Sequence, residues 1–266
     1  MKFELYKEAG LTNSPAVIFN HGTLMDFTMF DPQLAFLSAN GYRAISQNSR
    51  VLLGPPSRHS LEDLADDTAK LGEKLGLNHY VVAGMSTGAF MAVDFALKYL
   101  DRADGFILIE GQASAYPEAD QIAFEIEFEK FNVEGPVPRE RAEWAAPFCF
   151  GEYTYANNHG LVDYWINRWS TIIPSRAVWA QGTSWVRKPD LTHRLKSIAK
   201  PVLIIHAPGD LPVPIARAYS MLENLADATL VKVPNSGHTS NLENSEVVNY
   251  AILGFLDRIY RRRNAA

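Results

Sequence analysis

Three residues have side chains that could together perform nucleophilic chemistry: Ser86, Asp210 and His238, in that order along the chain. A serine hydroxyl is a weak nucleophile until a base takes its proton, and an imidazole titrating near neutrality suits that task. The imidazole needs a carboxylate to fix its tautomer and stabilise its charged form. Ser86 stands in Gly84-Met85-Ser86-Thr87-Gly88, with glycines at minus two and plus two. A serine on a sharp turn between strand and helix needs bare flanks so that the two elements can pass closely. Such a turn lifts the hydroxyl out of a sheet and sets it beside a helix N-terminus, where backbone N–H groups stabilise negative charge. The bland alternative is a Gly/Ser loop that only turns the chain, and the surrounding elements discriminate between the two.

Those elements favour the chemical reading. Tyr80-Val81-Val82-Ala83 is a β-branched apolar run that predicts a buried strand, and Ala89, Phe90, Val93, Leu97 and Leu100 recur at helical spacing after the turn. Phe3 to Lys7 alternates like an edge strand, and Ala16-Val17-Ile18-Phe19-Asn20 predicts a buried one ending at His21-Gly22-Thr23. Met29 to Ala39 is expected to be helical, and Arg43-Ala44-Ile45-Ser46 a strand followed by a polar loop from Gln47 to Ser57. Ser60 with Asp63 predicts a capped helix start. Gly105 to Ile109 is a further strand, ending at Glu110. Pro201 to Ile205 and Ala228 to Val233 predict the last two strands, and they lead to Asp210 and His238. Apolar runs alternating with amphipathic helices imply a mostly parallel sheet flanked by helices, an α/β fold. Candidate residues at the C-terminal ends of several strands lie where such sheets gather their sites.

The rhythm breaks from Gly111 to about Ser197. This stretch holds all five tryptophans and the only cysteine, Cys149, and is too long for a structureless loop. It predicts a mainly helical insertion whose aromatics form its own core, with one or two facing a substrate. The expected organisation is a core of residues 1–110 and 197–266 with a helical cap over 111–196. The closing helix carries Val247, Val248, Ala251, Ile252, Phe255, Leu256 and Ile259 on one face, and Arg261-Arg262-Arg263 complement its dipole.

With these motifs in place the sequence resembles the α/β-hydrolase-fold enzymes over nearly its whole length apart from the insertion. Gly84 to Gly88 matches that family's nucleophile elbow, His21-Gly22 its oxyanion-loop dipeptide, Gly209-Asp210-Leu211-Pro212 its acid loop and Ser236-Gly237-His238 its histidine loop. The resemblance implies Ser86 as nucleophile, His238 as general base and Asp210 as orienting acid, with backbone N–H groups of Thr23 and Thr87 holding the oxyanion. Glu110 is the alternative acid, because some members supply the acid from that strand end. The loop after Ser46 departs from the family pattern: Gln47-Asn48-Ser49-Arg50 replaces an acidic residue followed by Arg-Gly. His21 is read as supporting its turn. A serine at the elbow argues against the branches that use aspartate there.

Composition narrows the rest. A chain of 266 residues with 47% apolar side chains can bury a large core. A net charge of −5 without a basic face argues against nucleic acid. A single cysteine permits no internal disulfide, and no apolar run approaches membrane-spanning length. The expectation is a soluble, cytoplasmic protein with no membrane partner. No nucleotide loop or metal-binding spacing is present, so no cofactor or metal is required. The resemblance and the aromatic insertion imply hydrolysis of a small, hydrophobic carboxylic ester or lactone through an acyl-serine. The alternatives are carbon–carbon hydrolysis, acyl transfer, cofactor-free oxygenation, or a non-catalytic ligand receptor. The closing helix and the cap each offer a face for a homodimer.

Overall fold

Strands buried on both faces need side chains that are apolar at every position, and the central runs of this chain meet that condition. The computed structural model of the protein describes residues 3–263, with side chains through Tyr260. Its strands are β1 (Tyr6–Ala9), β2 (Ala16–Asn20), β3 (Arg43–Gln47), β4 (Tyr80–Met85), β5 (Ala103–Ile109), β6 (Val202–His206) and β7 (Ala228–Lys232). They form one sheet in the order β1-β3-β2-β4-β5-β6-β7. Among the described residues only β1 runs antiparallel, pairing Tyr6 with Gln47 and Ala9 with Ala44. The fold is that of the α/β hydrolases, as expected.

Alternate residues of each strand feed opposite core layers. Val17 and Phe19 pack on one side, with Leu34, Leu37, Ile252 and Leu256 from helices Asp31–Ala39 and Ser245–Arg263. Ala16 and Ile18 pack on the other, with residues of helices Leu61–Lys74, Thr87–Lys98 and Ala216–Asn224. Ser60 and Asp63 form the predicted capping box: Ser60 Oγ accepts from Asp63 N–H at 3.1 Å, and Asp63 Oδ2 accepts from Ser60 N–H at 2.8 Å.

Two expectations shift. The first strand lies at Tyr6–Ala9 rather than Phe3 to Lys7, because its pairing with β3 sets the register while Phe3 packs against the core. The loop after Gln47 contains a helical turn, Arg50–Leu53. Tertiary contacts hold it: Arg50 Nε donates to Asp67 Oδ2 at 2.7 Å, and Val51 and Leu52 pack on Ala177 and Ala180. The Arg261-Arg262-Arg263 side chains lie outside the described residues.

Between β5 and β6 the chain forms helices Glu118–Glu129, Arg139–Cys149, Glu152–Asn157, His159–Thr171 and Ser175–Thr183. Trp165 and Trp169 are fully buried within this segment, against Phe150. The buried Asp26 accepts from Arg168 Nε at 3.0 Å, so an ion pair joins the segment to the loop after β2. Among the described residues no helix is long and apolar enough to cross a membrane.

Candidate active site

The elbow is strained in the way its sequence requires. Ser86 has φ 53° and ψ −116°, a conformation that only close packing sustains in a residue with a side chain. A Cβ on Gly84 would lie 2.1 Å from the Gly88 carbonyl, and one on Gly88 would lie 2.0 Å from the Asn20 carbonyl oxygen. Bare glycines at both flanks therefore let helix Thr87–Lys98 cross β4 and β2 at contact distance.

Asp210 lies four residues past β6, where its Oδ1 accepts from Val213 N–H at 2.9 Å. His238 follows β7 on a loop organised by Glu243. That carboxylate accepts from the N–H groups of Gly237 and Gly151 and from the Thr154 hydroxyl at 3.0, 2.7 and 2.6 Å. The Thr239 N–H donates to the Cys149 carbonyl at 3.0 Å. The base loop is thus fastened to the inserted segment.

The three side chains meet. His238 Nε2 is 2.9 Å from Ser86 Oγ, and its Nδ1 is 2.8 Å from Asp210 Oδ2. All three are buried. With Nδ1–H donated to the carboxylate, Nε2 is free to accept the serine proton. Burial would raise the Asp210 carboxyl, but His238 beside it and the hydrogen bond between them outweigh burial and hold it below the ordinary range.

Glu110, the other acid, stands behind this line. It is fully buried, with φ 49°, and both of its oxygens lie 3.0 Å from the Ala207 N–H. Burial, and then the charge of Asp210, push its carboxyl well above the ordinary value, which favours the protonated acid beside Asp210. His206 completes the cluster, its Nε2 donating to the Val213 carbonyl at 2.7 Å, and burial lowers its pKa. One potential ligand atom from each of Glu110, His206 and Asp210 lies within 4.8 Å of the others. Glu110 and His206 thus enclose the Asp210 carboxylate on the side away from His238. The carboxylate that touches His238 is Asp210, and Glu110 reaches it only through Asp210.

His21 supports its turn, as read from the sequence. Its Nδ1–H donates to the Gly22 carbonyl at 2.8 Å, and its Nε2 accepts from Ser49 N–H at 2.9 Å. Burial holds the ring neutral. The departing loop after β3 therefore acts through Ser49, and it does not line the cavity beside Ser86. The N–H groups of Thr23 and Thr87 have no acceptor among the described residues, which leaves them free for an oxyanion. Their hydroxyls, which no sequence pattern marks, are 2.7 Å apart, and Trp185 Nε1 donates to Thr23 Oγ1 at 3.0 Å. This bridge ties the Thr23 and Thr87 positions together from the inserted segment.

Beside Ser86 and His238 opens a cavity of about 450 Å3, roofed by Phe124, Phe128, Phe131, Trp144 and Trp185 of that segment. Cys149 lines it too, and burial raises its thiol pKa, so it remains a neutral thiol.

The chain is similar in sequence and fold to known proteins. The profile of the family described as "Alpha/beta hydrolase family" matches residues 17–250. A non-heme chloroperoxidase of Streptomyces lividans is 28% identical, the match covering 94% of this chain and 95% of that one. The structure of a thermophilic esterase from Thermogutta terrifontis superposes with a TM-score of 0.87 at 27% identity, covering 96% of this chain and 93% of the esterase. The enol-lactonase of Burkholderia xenovorans LB400 superposes with a TM-score of 0.83 at 20% identity, covering 94% and 95%, and shows the shared fold.

Proposed function

The chain belongs to the alpha/beta hydrolase family, and from that premise we propose that it hydrolyses a small, mainly apolar carboxylic ester or lactone through an acyl-serine. The observation that carries this reading is the hydrogen-bonded line from Ser86 through His238 to Asp210 beside an aromatic-roofed cavity. Similarity to an esterase at 27% identity supports it.

In this reading the substrate carbonyl lies against the N–H groups of Thr23 and Thr87. Ser86 Oγ attacks as His238 Nε2 takes its proton, and the tetrahedral oxyanion is held by those two donors, each worth about 3–4 kcal/mol in comparable sites. His238 returns the proton to the leaving alkoxide. It then takes a proton from water, whose oxygen attacks the acyl-serine, and the carboxylic acid departs as Ser86 is regenerated. Asp210 stays ionised and stabilises the imidazolium. The segment 111–196 acts as a cap that shapes the apolar pocket and excludes water.

Hydrolysis of a panel of 4-nitrophenyl esters and of aliphatic and aromatic lactones, by wild type and Ser86→Ala, tests the proposal. Turnover that disappears in the variant, together with fluorophosphonate labelling of Ser86, is the expected result. A folded protein that turns over none of them would leave carbon–carbon hydrolysis, acyl transfer, oxygenation or ligand reception as the reading.

A further inference from the structure

One charged group in the cavity has no role in the chemistry above. Arg217 lines it together with Tyr116, Val213 and Pro214, in a wall otherwise dominated by apolar side chains. Arginine is expensive to place on such a wall unless something pairs with it. Among the described residues its only side-chain partner is neutral: Nη1 donates to Ser114 Oγ at 2.9 Å, and no carboxylate lies within ion-pair distance. The other cavity acids are accounted for differently. Glu127 is neutralised by Lys130 at 2.6 Å and Arg141 at 2.8 Å, and Asp120 is an exposed residue of the rim.

Helix stability does not explain the position. Arg217 is the second residue of helix Ala216–Asn224, the end at which the helix dipole disfavours a cation. Its neighbourhood fixes it nonetheless. The buried Lys188 Nζ donates to the Ser114 carbonyl at 2.5 Å, which anchors the residue whose hydroxyl holds the guanidinium. The remaining guanidinium N–H groups are left without acceptors among the described residues. A fork held at one N–H, half-buried and facing a cavity is preorganised for a planar anion.

We infer that Arg217 is an anion-binding subsite of this cavity, and that the ester or lactone it hydrolyses carries a free carboxylate on its acyl part. The inference rests on the hydrolytic reading and names its substrate class. A carboxylate fits better than a phosphate, because one guanidinium supplies a single positive charge and the Asp120 rim opposes a second negative one.

The test compares monoesters of dicarboxylic acids with neutral esters of equal chain length, such as 4-nitrophenyl hydrogen glutarate against 4-nitrophenyl pentanoate, with succinate and adipate homologues. The quantity read is the ratio of kcat/KM for the charged ester over its neutral counterpart. One charge-assisted contact predicts that Arg217→Gln lowers this ratio roughly 10- to 100-fold for the best chain length. Arg217→Lys restores part of it, and Asp120→Asn raises it. A ratio that Arg217→Gln leaves unchanged while the neutral ester is turned over overturns the subsite and leaves the hydrolytic reading standing. Calorimetric titration of monomethyl glutarate, which carries one charge, into Ser86→Ala, with and without Arg217→Gln, decides the subsite without turnover. Binding that requires Arg217 supports it, and equal or absent binding in both proteins rejects it. Should no ester be hydrolysed, that titration still separates failure of the subsite from failure of the reaction.

Discussion

Replacing Glu110 by glutamine separates the two buried carboxyls that compete for the role of acid. Glutamine is close in shape to a protonated glutamic acid. Its carbonyl can accept from Ala207 N–H, and its amide can donate to Asp210 as a protonated carboxyl would. The sign of the linkage follows from Glu110's raised pKa. Between the unfolded value, near 4.5, and the higher folded value, the native chain holds a proton that the unfolded chain releases. Stability from this group is therefore complete below the unfolded pKa and is lost as pH rises towards the folded one, at about 1.4 kcal/mol per pH unit. Glu110→Gln removes that loss. The difference in unfolding free energy between variant and wild type should rise with that slope through the same window and flatten above the folded pKa, whose position it reports. His206 is present in both proteins, and Asp210, whose charge helps to raise Glu110, is read together with it as one coupled pair. The assay is urea unfolding of both at half-unit steps from pH 5 to 8.5, with ester hydrolysis measured alongside. Hydrolysis should survive in Glu110→Gln within a few fold and fall by about 10⁴ in Asp210→Asn, since Asp210 alone holds the imidazole. A flat stability difference would show that Glu110 is ionised in the fold. Loss of activity in Glu110→Gln with retention in Asp210→Asn would reverse the acid assignment.

Three further outcomes follow from contacts already described. Trp185→Phe deletes the N–H that holds the Thr23 hydroxyl, one hydrogen bond worth about 1 kcal/mol, so kcat should fall several fold with KM little changed in steady-state kinetics. Arg168→Ala strands the buried Asp26 and should destabilise the chain by about 3 kcal/mol, a drop of roughly 6–12 °C in thermal melting. Gly88→Ala drives a methyl to 2.0 Å from a backbone carbonyl, so it should cost more than about 4 kcal/mol and yield little folded protein by circular dichroism.

The sheet and the residues at its strand ends were legible because each depends on a short stretch of chain. Val81 and Val82 read as buried without knowledge of their neighbours, and a serine flanked by Gly84 and Gly88 carries its own geometry. Ser86, Asp210 and His238 each end an apolar run, so a parallel sheet was enough to bring them to one edge. What escaped reading is made by pairs distant in sequence. The register of β1 is set by Gln47, and the Arg50 turn by Asp67. The Thr23–Thr87–Trp185 bridge spans 162 residues, and the Ser114 anchor of Arg217 spans 103. Threonine and arginine are common enough that no local pattern marks these members. A tryptophan-rich insertion did signal an apolar roof, and Trp144 and Trp185 are its two tryptophans that line the cavity.

The Glu243 carboxylate has a bearing on how such chains can be recombined. Its Oε2 accepts from Gly151 and Thr154 of the inserted segment, while its Oε1 accepts from Gly237 and Thr239 beside His238. Roof and base loop are therefore one mechanical unit, although some 80 residues and two strands separate them in sequence. A chimera that imported a foreign roof between β5 and β6 while keeping the native C-terminal third would sever that joint and release the histidine from its line. Crossovers that transfer the roof together with the turn bearing Glu243 keep the joint whole, so inheritance of pocket shape and of catalytic alignment is tied at a residue that touches neither substrate nor serine.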